Sequence, residues 1–228
     1  MPKIPSPNDL WKRHEELVLE VFTVALTLLC KEADLPLDED DISKILAVEV
    51  REANFQLNRE SRGLPFPPRW ENPVQPTSKE DLSRKGEPKR SDFSCPFRDD
   101  AAPSHEEAYL DYHVECKRLG NPPSARWTLN KNYVSNGVLR FLDPDYSYGR
   151  GTWSAAMIGY VQSMEATAII AEINDYISKE ATHAIPDIGL EGGCFRDGRV
   201  SRTSQHFVRR QLAPSSFDLR HLWVDLRS

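Results

Sequence analysis

The chain carries an acid and a lysine two residues apart, Glu115 and Lys117, inside a run that is typical of a β-strand. Side chains of a strand alternate between its faces, so this spacing places the two groups on one face. A carboxylate oxygen is a ligand that Mg²⁺ prefers, and a neighbouring ammonium group can position an attacking water or offset developing negative charge on a phosphate. The pair predicts metal-assisted phosphate chemistry, and an ion pair on a solvated strand edge is the alternative.

The run over residues 108–120 separates into a polar and an apolar face. The polar face holds Asp111, His113, Glu115 and Lys117, and the apolar face holds Leu110, Tyr112, Val114 and Cys116. A second alternating run lies upstream at residues 89–97, with Asp92 on one face, and the loop-like residues 98–107 connect the two runs. An antiparallel hairpin would set Asp92 beside Glu115, giving two carboxylates for one metal ion with a lysine next to them.

The pair Ser91-Asp92, followed after the hairpin by Glu115-Cys116-Lys117, resembles the Asp…Glu-x-Lys signature of the PD-(D/E)XK nuclease superfamily, which includes restriction endonucleases and prokaryotic defence nucleases. The resemblance covers the middle third of the chain. It implies that Asp92 and Glu115 bind Mg²⁺, for which Mn²⁺ substitutes, and that Lys117 completes the catalytic set. The name of the signature includes a proline directly before the aspartate, and Ser91 occupies that position in this chain. The alternative partners of Glu115 are Asp99, Asp100 and Asp111.

The same resemblance implies further site residues. Members of the superfamily commonly carry a metal-supporting acid on the helix before the sheet, and the candidates here are Glu39, Glu49 and Glu52. Members found near defence systems carry similar segments after the catalytic strand. By that similarity the substrate side is lined by Tyr133, Arg140, Tyr160 and Gln162, although Tyr133 and Tyr160 also suit an aromatic core.

Two further residues are candidate phosphate contacts from their own setting. Arg150 is flanked by Gly149 and Gly151 ahead of a predicted helix, which favours an anion contact, and a plain turn is the alternative. His206, like His221, is a candidate for phosphate binding or proton transfer, with a structural role as the alternative.

Charge is distributed unevenly along the 228 residues, whose formal net charge is −6. Residues 1–60 contain 7 basic and 13 acidic side chains, whereas residues 196–228 contain 7 basic and 3 acidic ones, and all the basic ones there are arginine. Arginine is well shaped to bind phosphate, so one basic face predicts nucleic-acid binding despite the negative total. No apolar run reaches the length of a membrane helix, and the first residues lack the apolar core of a signal peptide, so we expect a cytoplasmic protein without membrane contact.

The patterns predict the α/β class: a restriction-endonuclease-like core in which helices flank a central mixed β-sheet of four or more strands. A single nuclease-like domain is expected over residues 1–228. Its predicted parts are N-terminal helices within 1–60, with helices near 10–33 and up to 58, an irregular connection over 61–88, and a catalytic core over 89–228. Within that core we expect a short helix over 132–142, a helix over about 154–180 and a C-terminal strand over 217–227.

The resemblance implies a Mg²⁺-dependent endonuclease that hydrolyses phosphodiester bonds, with DNA as the expected substrate and an effector role in anti-phage defence as one setting. Protein partners in a defence complex and a homo-oligomer remain open. The alternative is a non-cleaving nucleic-acid-binding or scaffolding subunit, because the apolar first helix and the acidic N-terminal third suit a partner surface.

Overall fold

The computed structural model describes residues 7–71, 90–124, 127–144, 146, 148–189 and 200–227. Its α-helices are α1 (Pro7–Leu29), α2 (Glu39–Arg59), α3 (His105–Ala108), α4 (Leu129–Ser135) and α5 (Ala166–Ser178). Its strands are β1 (Arg69–Trp70), β2 (Phe93–Arg98), β3 (Tyr109–Leu119), β4 (Ser154–Val161), β5 (Val200–Val208) and β6 (Ser216–Asp225). A 3₁₀ turn, Val138–Phe141, follows α4.

The six strands form one mixed sheet in the order β1-β2-β3-β4-β6-β5. Strand β2 is antiparallel to both β1 and β3. Strands β3, β4 and β6 run parallel to one another, and β5 is antiparallel to β6. Helices flank this sheet, so the predicted α/β class with a mixed sheet of four or more strands is confirmed. The C-terminal strand predicted over 217–227 is also confirmed as β6, which lies inside the sheet with β5 at the edge.

The two faces of the sheet carry separate apolar cores. Helices α1 and α2 cover one face, where Phe22 of α1 packs edge-on against Phe93 of β2 with ring centroids 5.3 Å apart. Helices α4 and α5 and the 3₁₀ turn cover the other, around Met157 and Trp223. The apolar residues Tyr112, Val114 and Cys116 of β3 all belong to the first core, which confirms the predicted alternation. The polar side chains of β3 consequently project from the opposite face of the strand, and Lys117 among them reaches Glu39 at the start of α2.

The helix predicted over 154–180 is wrong in its first half. Residues 154–161 form strand β4, which pairs with β3 on one side and β6 on the other, and α5 begins at Ala166. Every residue of β4 is buried. A strand with both faces covered has an unbroken run of small and apolar residues, and such a run lacks the alternation that distinguishes a strand from a buried helix.

The N-terminal helices follow their sequence signals closely. Asp38 accepts a hydrogen bond from the backbone N–H of Asp40 at 3.0 Å and so caps the start of α2. The short helix predicted over 132–142 is divided between α4 and the 3₁₀ turn. Most of the predicted irregular connection, residues 72–88, lies outside the described residues. Among the helices that the structure describes, none combines the length and the apolar character needed to cross a membrane.

Gly159 of β4 allows the two central strands beside it to pack closely. A Cβ atom at this position would lie 2.5 Å from Cδ1 of Leu119 and 2.8 Å from Cδ1 of Trp223. Overpacking of this kind typically lowers stability by about 1–3 kcal/mol. We therefore expect Gly159→Ala to lower the free energy of unfolding by that amount in urea denaturation.

Gly189→Ala is the matched control for this prediction. In the described part of the chain, no heavy atom would lie within 4 Å of a Cβ at Gly189, so we expect a change within about 0.5 kcal/mol. Equal unfolding midpoints for the two variants would contradict the close packing at Gly159.

Candidate active site

Strands β2 and β3 bring two carboxylates together. Their antiparallel register pairs Phe93 with Val114, and Asp92 directly precedes β2 at the position that would next face Glu115. Residues opposite each other in a sheet share a face, so both carboxylates lie on the same side. Oδ2 of Asp92 accepts a hydrogen bond from the backbone N–H of Cys116 at 2.6 Å, which fixes the carboxylate against β3. The predicted hairpin geometry is present.

Glu115 is a buried acid with one satisfied and one unsatisfied oxygen. Its side chain is 0% exposed, and Oε1 lies 2.9 Å from Nζ of Lys117 and also pairs with the Arg140 guanidinium. Oε2 is buried and has no hydrogen-bond partner among the described residues. Burial, and then repulsion from the Asp92 carboxylate, raises the pKa of Glu115 to about 8. The same burial raises the pKa of Asp92.

Lys117 is surrounded by oxygen acceptors. Its side chain is 6% exposed, and Nζ lies 2.8 Å from Oε1 of Glu39, 2.9 Å from Oε1 of Glu115 and 2.6 Å from the carbonyl oxygen of Cys116. Burial alone lowers the pKa of this ammonium group, but the carboxylates of Glu115, Asp92 and Glu39 outweigh it and raise the pKa above its usual value. Lys117 therefore remains protonated at neutral pH.

Of the three candidate supporting acids on α2, the structure brings Glu39 to the site. It is the first residue of α2, and its Oε2 accepts a hydrogen bond from the backbone N–H of Arg118 at 3.0 Å while Oε1 binds Lys117. Glu52 lies about 20 Å further along the helix axis, where it is exposed and bonds Gln56. Glu49 is half-buried on the same distant part of α2.

Arg140 reaches the acid pair from the 3₁₀ turn. Its guanidinium pairs with Oε1 of Glu115, and its Cζ lies 5.8 Å from the ring centroids of both Tyr146 and Tyr148. The side chain is 27% exposed, so it connects the buried carboxylate with the surface. Sequence reasoning did not single out the two tyrosines, although they lie six and eight residues after the arginine in a segment rich in tyrosine and glycine.

A buried arginine holds the segment that carries Arg140. The guanidinium of Arg209 donates to the carbonyl oxygens of Phe141, Gly149, Thr152 and Pro214 at 2.8–3.4 Å, and it lies 3.8 Å above the Phe217 ring. Burial lowers the pKa of Arg209 to about 10, so it is still charged at neutral pH. In the sequence, Arg209 belongs to the basic segment 196–228, which was expected to bind phosphate. In the structure, it is buried and supports the loop that follows Arg140.

The residue before Asp92 also makes a buried contact. Oγ of Ser91 lies 3.0 Å from Nδ1 of His113, whose ring stacks on Tyr148 at 5.7 Å. Burial lowers the pKa of His113 to about 4, so the ring is neutral at physiological pH. Sequence reasoning placed His113 on the polar face of β3 and missed its contact with Ser91, because nothing in the spacing indicates it.

The alternative acids lie away from Glu115. Asp111 is four residues earlier on β3, about 13 Å along the strand. Asp99 accepts a hydrogen bond from the backbone N–H of Ala101 at 2.9 Å, and Asp100 pairs with Arg98 on the surface. The structure therefore brings Asp92, and none of these three, to the Glu115 carboxylate.

Two residues predicted to line the substrate side lie against α2 and its preceding loop. Tyr160 is fully buried in the core beneath α1 and α2, with its hydroxyl 3.1 Å from Oγ of Ser43. Gln162 follows β4 and donates to the carbonyl oxygen of Leu37 at 2.9 Å. Neither side chain is joined to the acid pair by a described contact, in contrast to Arg140.

The remaining candidates lie on other strands, on α4 and in the turn ahead of β4. His206 projects from the edge strand β5 and lies 2.8 Å from Oδ1 of Asp218. His221 and Tyr133 are buried together, with the Tyr133 hydroxyl 2.7 Å from Nδ1 of His221. Arg150 is half-buried in the turn ahead of β4. The contacts described for His206, His221 and Tyr133 are with residues outside the cluster around Glu115.

The acid pair suits a divalent cation. Within the described ranges, no three His, Cys, Asp or Glu side chains are already gathered as a metal-binding group. However, Mg²⁺ commonly takes one or two carboxylates and completes its shell with water and phosphate oxygens. Glu115 offers a buried oxygen without a partner, and burial and mutual repulsion oppose ionisation of both acids. A cation between Asp92 and Glu115 would offset both effects, so the residues fit the metal.

Comparisons with models of known protein families, with curated proteins and with solved structures found no match for this chain.

The raised pKa of Glu115 predicts a pH-dependent stability. The pKa of Glu115 is near 4.5 in the unfolded chain and about 8 in the folded protein. Between pH 4.5 and pH 8, unfolding therefore releases a proton, and the free energy of unfolding falls as pH rises. Without divalent ions, we expect wild type to lose on the order of 3 kcal/mol relative to Glu115→Gln between pH 4.5 and 8. Urea denaturation across this pH range measures the difference.

Glu106→Gln removes an exposed acid of α3 and serves as the control, whose stability should follow the wild-type pH curve. Parallel curves for wild type and Glu115→Gln would show that Glu115 is not a buried, destabilised carboxylate.

Proposed function

We propose that this chain is a Mg²⁺-dependent nuclease of the PD-(D/E)XK type, with DNA as its substrate. The observation that carries the proposal is the cluster formed by Asp92, Glu115 and Lys117, in which a half-buried and a fully buried carboxylate share one side of the sheet and an ammonium group lies beside them. An ion pair on a solvated strand edge, the alternative for Glu115 and Lys117, does not describe side chains that are 0% and 6% exposed.

Asp92 and Glu115 would hold the metal ion. When bound there, Mg²⁺ supplies Lewis-acid stabilisation of a phosphate oxygen and lowers the pKa of a bound water. The protein contributes the position of the two carboxylates. The Cys116 amide orients Asp92, and the fully buried side chain of Glu115 keeps its oxygen directed at the site.

Lys117 would act as a fixed positive charge. Because its pKa is raised, it does not accept a proton from water at neutral pH, so it is poorly suited to act as a general base. Its ammonium group can instead donate hydrogen bonds to the phosphate as negative charge develops in the transition state. Glu39 positions Lys117 and helps to keep it charged.

The element order supports a restriction-endonuclease-like core. Helices α1 and α2 precede the antiparallel pair β2 and β3, which carries the acids, and a parallel crossover then leads to β4. The resemblance extends the proposal to an effector role in anti-phage defence, together with protein partners.

A second candidate function is a non-cleaving subunit that binds nucleic acid or another protein. The observation that favours it is the pairing of Glu115 with both Lys117 and Arg140, because these two cations satisfy one carboxylate oxygen without a metal ion. Cleavage assays with Mg²⁺ and Mn²⁺ on single-stranded and duplex DNA distinguish the two functions.

Removal of either central group should abolish cleavage. We expect Glu115→Gln and Lys117→Met to lower the rate of Mn²⁺-dependent plasmid nicking by about 10²-fold or more, because metal and charge stabilisation contribute several kcal/mol to the transition state. Glu16→Gln, which changes an exposed acid of α1, should cleave at the wild-type rate. Unchanged nicking by both site variants would reject the assignment, and an inert wild type would favour the second function.

The two acids of α2 should behave differently. Glu39→Gln removes the carboxylate that binds Lys117, so we expect a loss of about tenfold in nicking rate, as for one charged hydrogen bond. Glu52→Gln changes an exposed side chain remote from Lys117 and should have no effect. The opposite order of effects would show that Glu52 is the supporting acid.

A further inference from the structure

One oxygen of Glu115 is shared by two cations that differ in exposure and in the number of their contacts. Lys117 extends from a central strand, is 6% exposed and contacts three acceptors. Arg140 extends from the short 3₁₀ turn and is 27% exposed. Its Nε is buried without a partner in the described structure, so the guanidinium is held less completely than the ammonium group. Arg140 is therefore the cation that can leave Glu115 without disturbing the sheet.

The rings beside Arg140 offer it an alternative position. Tyr146 and Tyr148 both lie with their centroids 5.8 Å from the guanidinium carbon, and aromatic faces attract a guanidinium. A guanidinium also matches the geometry of a phosphate, to which it donates two parallel hydrogen bonds. When a phosphodiester approaches the site, Arg140 can exchange one anionic partner for another while it keeps its contact with the rings.

A guanidinium on Glu115 opposes metal binding. A dication that binds Glu115 meets the positive charges of both Lys117 and Arg140, and like charges repel most strongly where water is excluded. The charge of Lys117 is compensated by Glu39 as well as by Glu115. For Arg140, the ion pair that the described structure contains is with Glu115. Arg140 is thus the cation whose movement most directly frees the metal-binding carboxylate.

We propose that Arg140 is a latch on Glu115, which pairs with the carboxylate in the free protein, weakens metal binding there and moves to the phosphodiester when substrate arrives, so that metal and substrate bind cooperatively. This inference rests on the proposed function, because it requires Glu115 to be a metal ligand. The latch would keep metal occupancy of the site low until nucleic acid is present. Cooperativity of this kind is reciprocal, so metal must also strengthen substrate binding.

The latch is tested by Mn²⁺ binding to the full chain, measured by titration calorimetry with and without a short phosphorothioate DNA duplex. Arg140→Gln should bind Mn²⁺ about tenfold more tightly than wild type when DNA is absent. The DNA probe should tighten Mn²⁺ binding to wild type by about tenfold and to the variant by much less. Arg140→Met, which also removes the charge, should repeat both results.

Two comparisons separate the latch from the proposed function. Arg62→Gln removes an exposed arginine that pairs with Glu60, and it should bind Mn²⁺ as wild type does, which controls for net charge. Glu115→Gln should lose Mn²⁺ binding. Loss in that variant together with wild-type affinity in Arg140→Gln and Arg140→Met would overturn the latch and leave the metal site intact. Wild-type Mn²⁺ affinity in Glu115→Gln would overturn the metal site itself.

Discussion

Burial of the Glu115 carboxylate beside a second carboxylate is the constraint on which the site depends. Two acids in a water-poor environment resist ionisation, and each needs a positive charge or donated hydrogen bonds to remain charged. Lys117 and Arg140 supply positive charge to one oxygen of Glu115, and the Cys116 amide donates to Asp92. The other oxygen of Glu115 remains unsatisfied in the described structure, so the arrangement is electrostatically incomplete and suits a divalent cation.

The rest of the fold positions this cluster. The antiparallel pairing of β2 and β3 sets Asp92 opposite Glu115, and the start of α2 places Glu39 on Lys117. Arg209 binds the carbonyl oxygens of Phe141, which directly follows Arg140, and of Thr152, so the C-terminal part of the chain contributes to the site through a brace. A buried guanidinium whose described hydrogen bonds all go to neutral carbonyl groups is costly, so its position beside this loop is consistent with a role in holding the loop in place.

The strands that could be predicted from the sequence are those with one apolar and one polar face. Strand β3 has one apolar and one polar face, so its alternation and the partnership of Asp92 with Glu115 were foreseeable. Strand β4 is covered on both faces and was therefore mistaken for a helix. The choice of Glu39 among the acids of α2 depends on where the helix begins relative to β3, which no local pattern encodes. The contacts of Arg140 with Tyr146 and Tyr148 likewise depend on the folded loop.

The most direct measurement is anomalous X-ray diffraction from crystals of the full chain soaked in Mn²⁺. We predict an anomalous peak within coordination distance of both Asp92 and Glu115, with Lys117 still beside the pair. A fully bound Mn²⁺ at another position, with the Asp92 and Glu115 carboxylates unchanged, would contradict the claim that these two acids form a metal site.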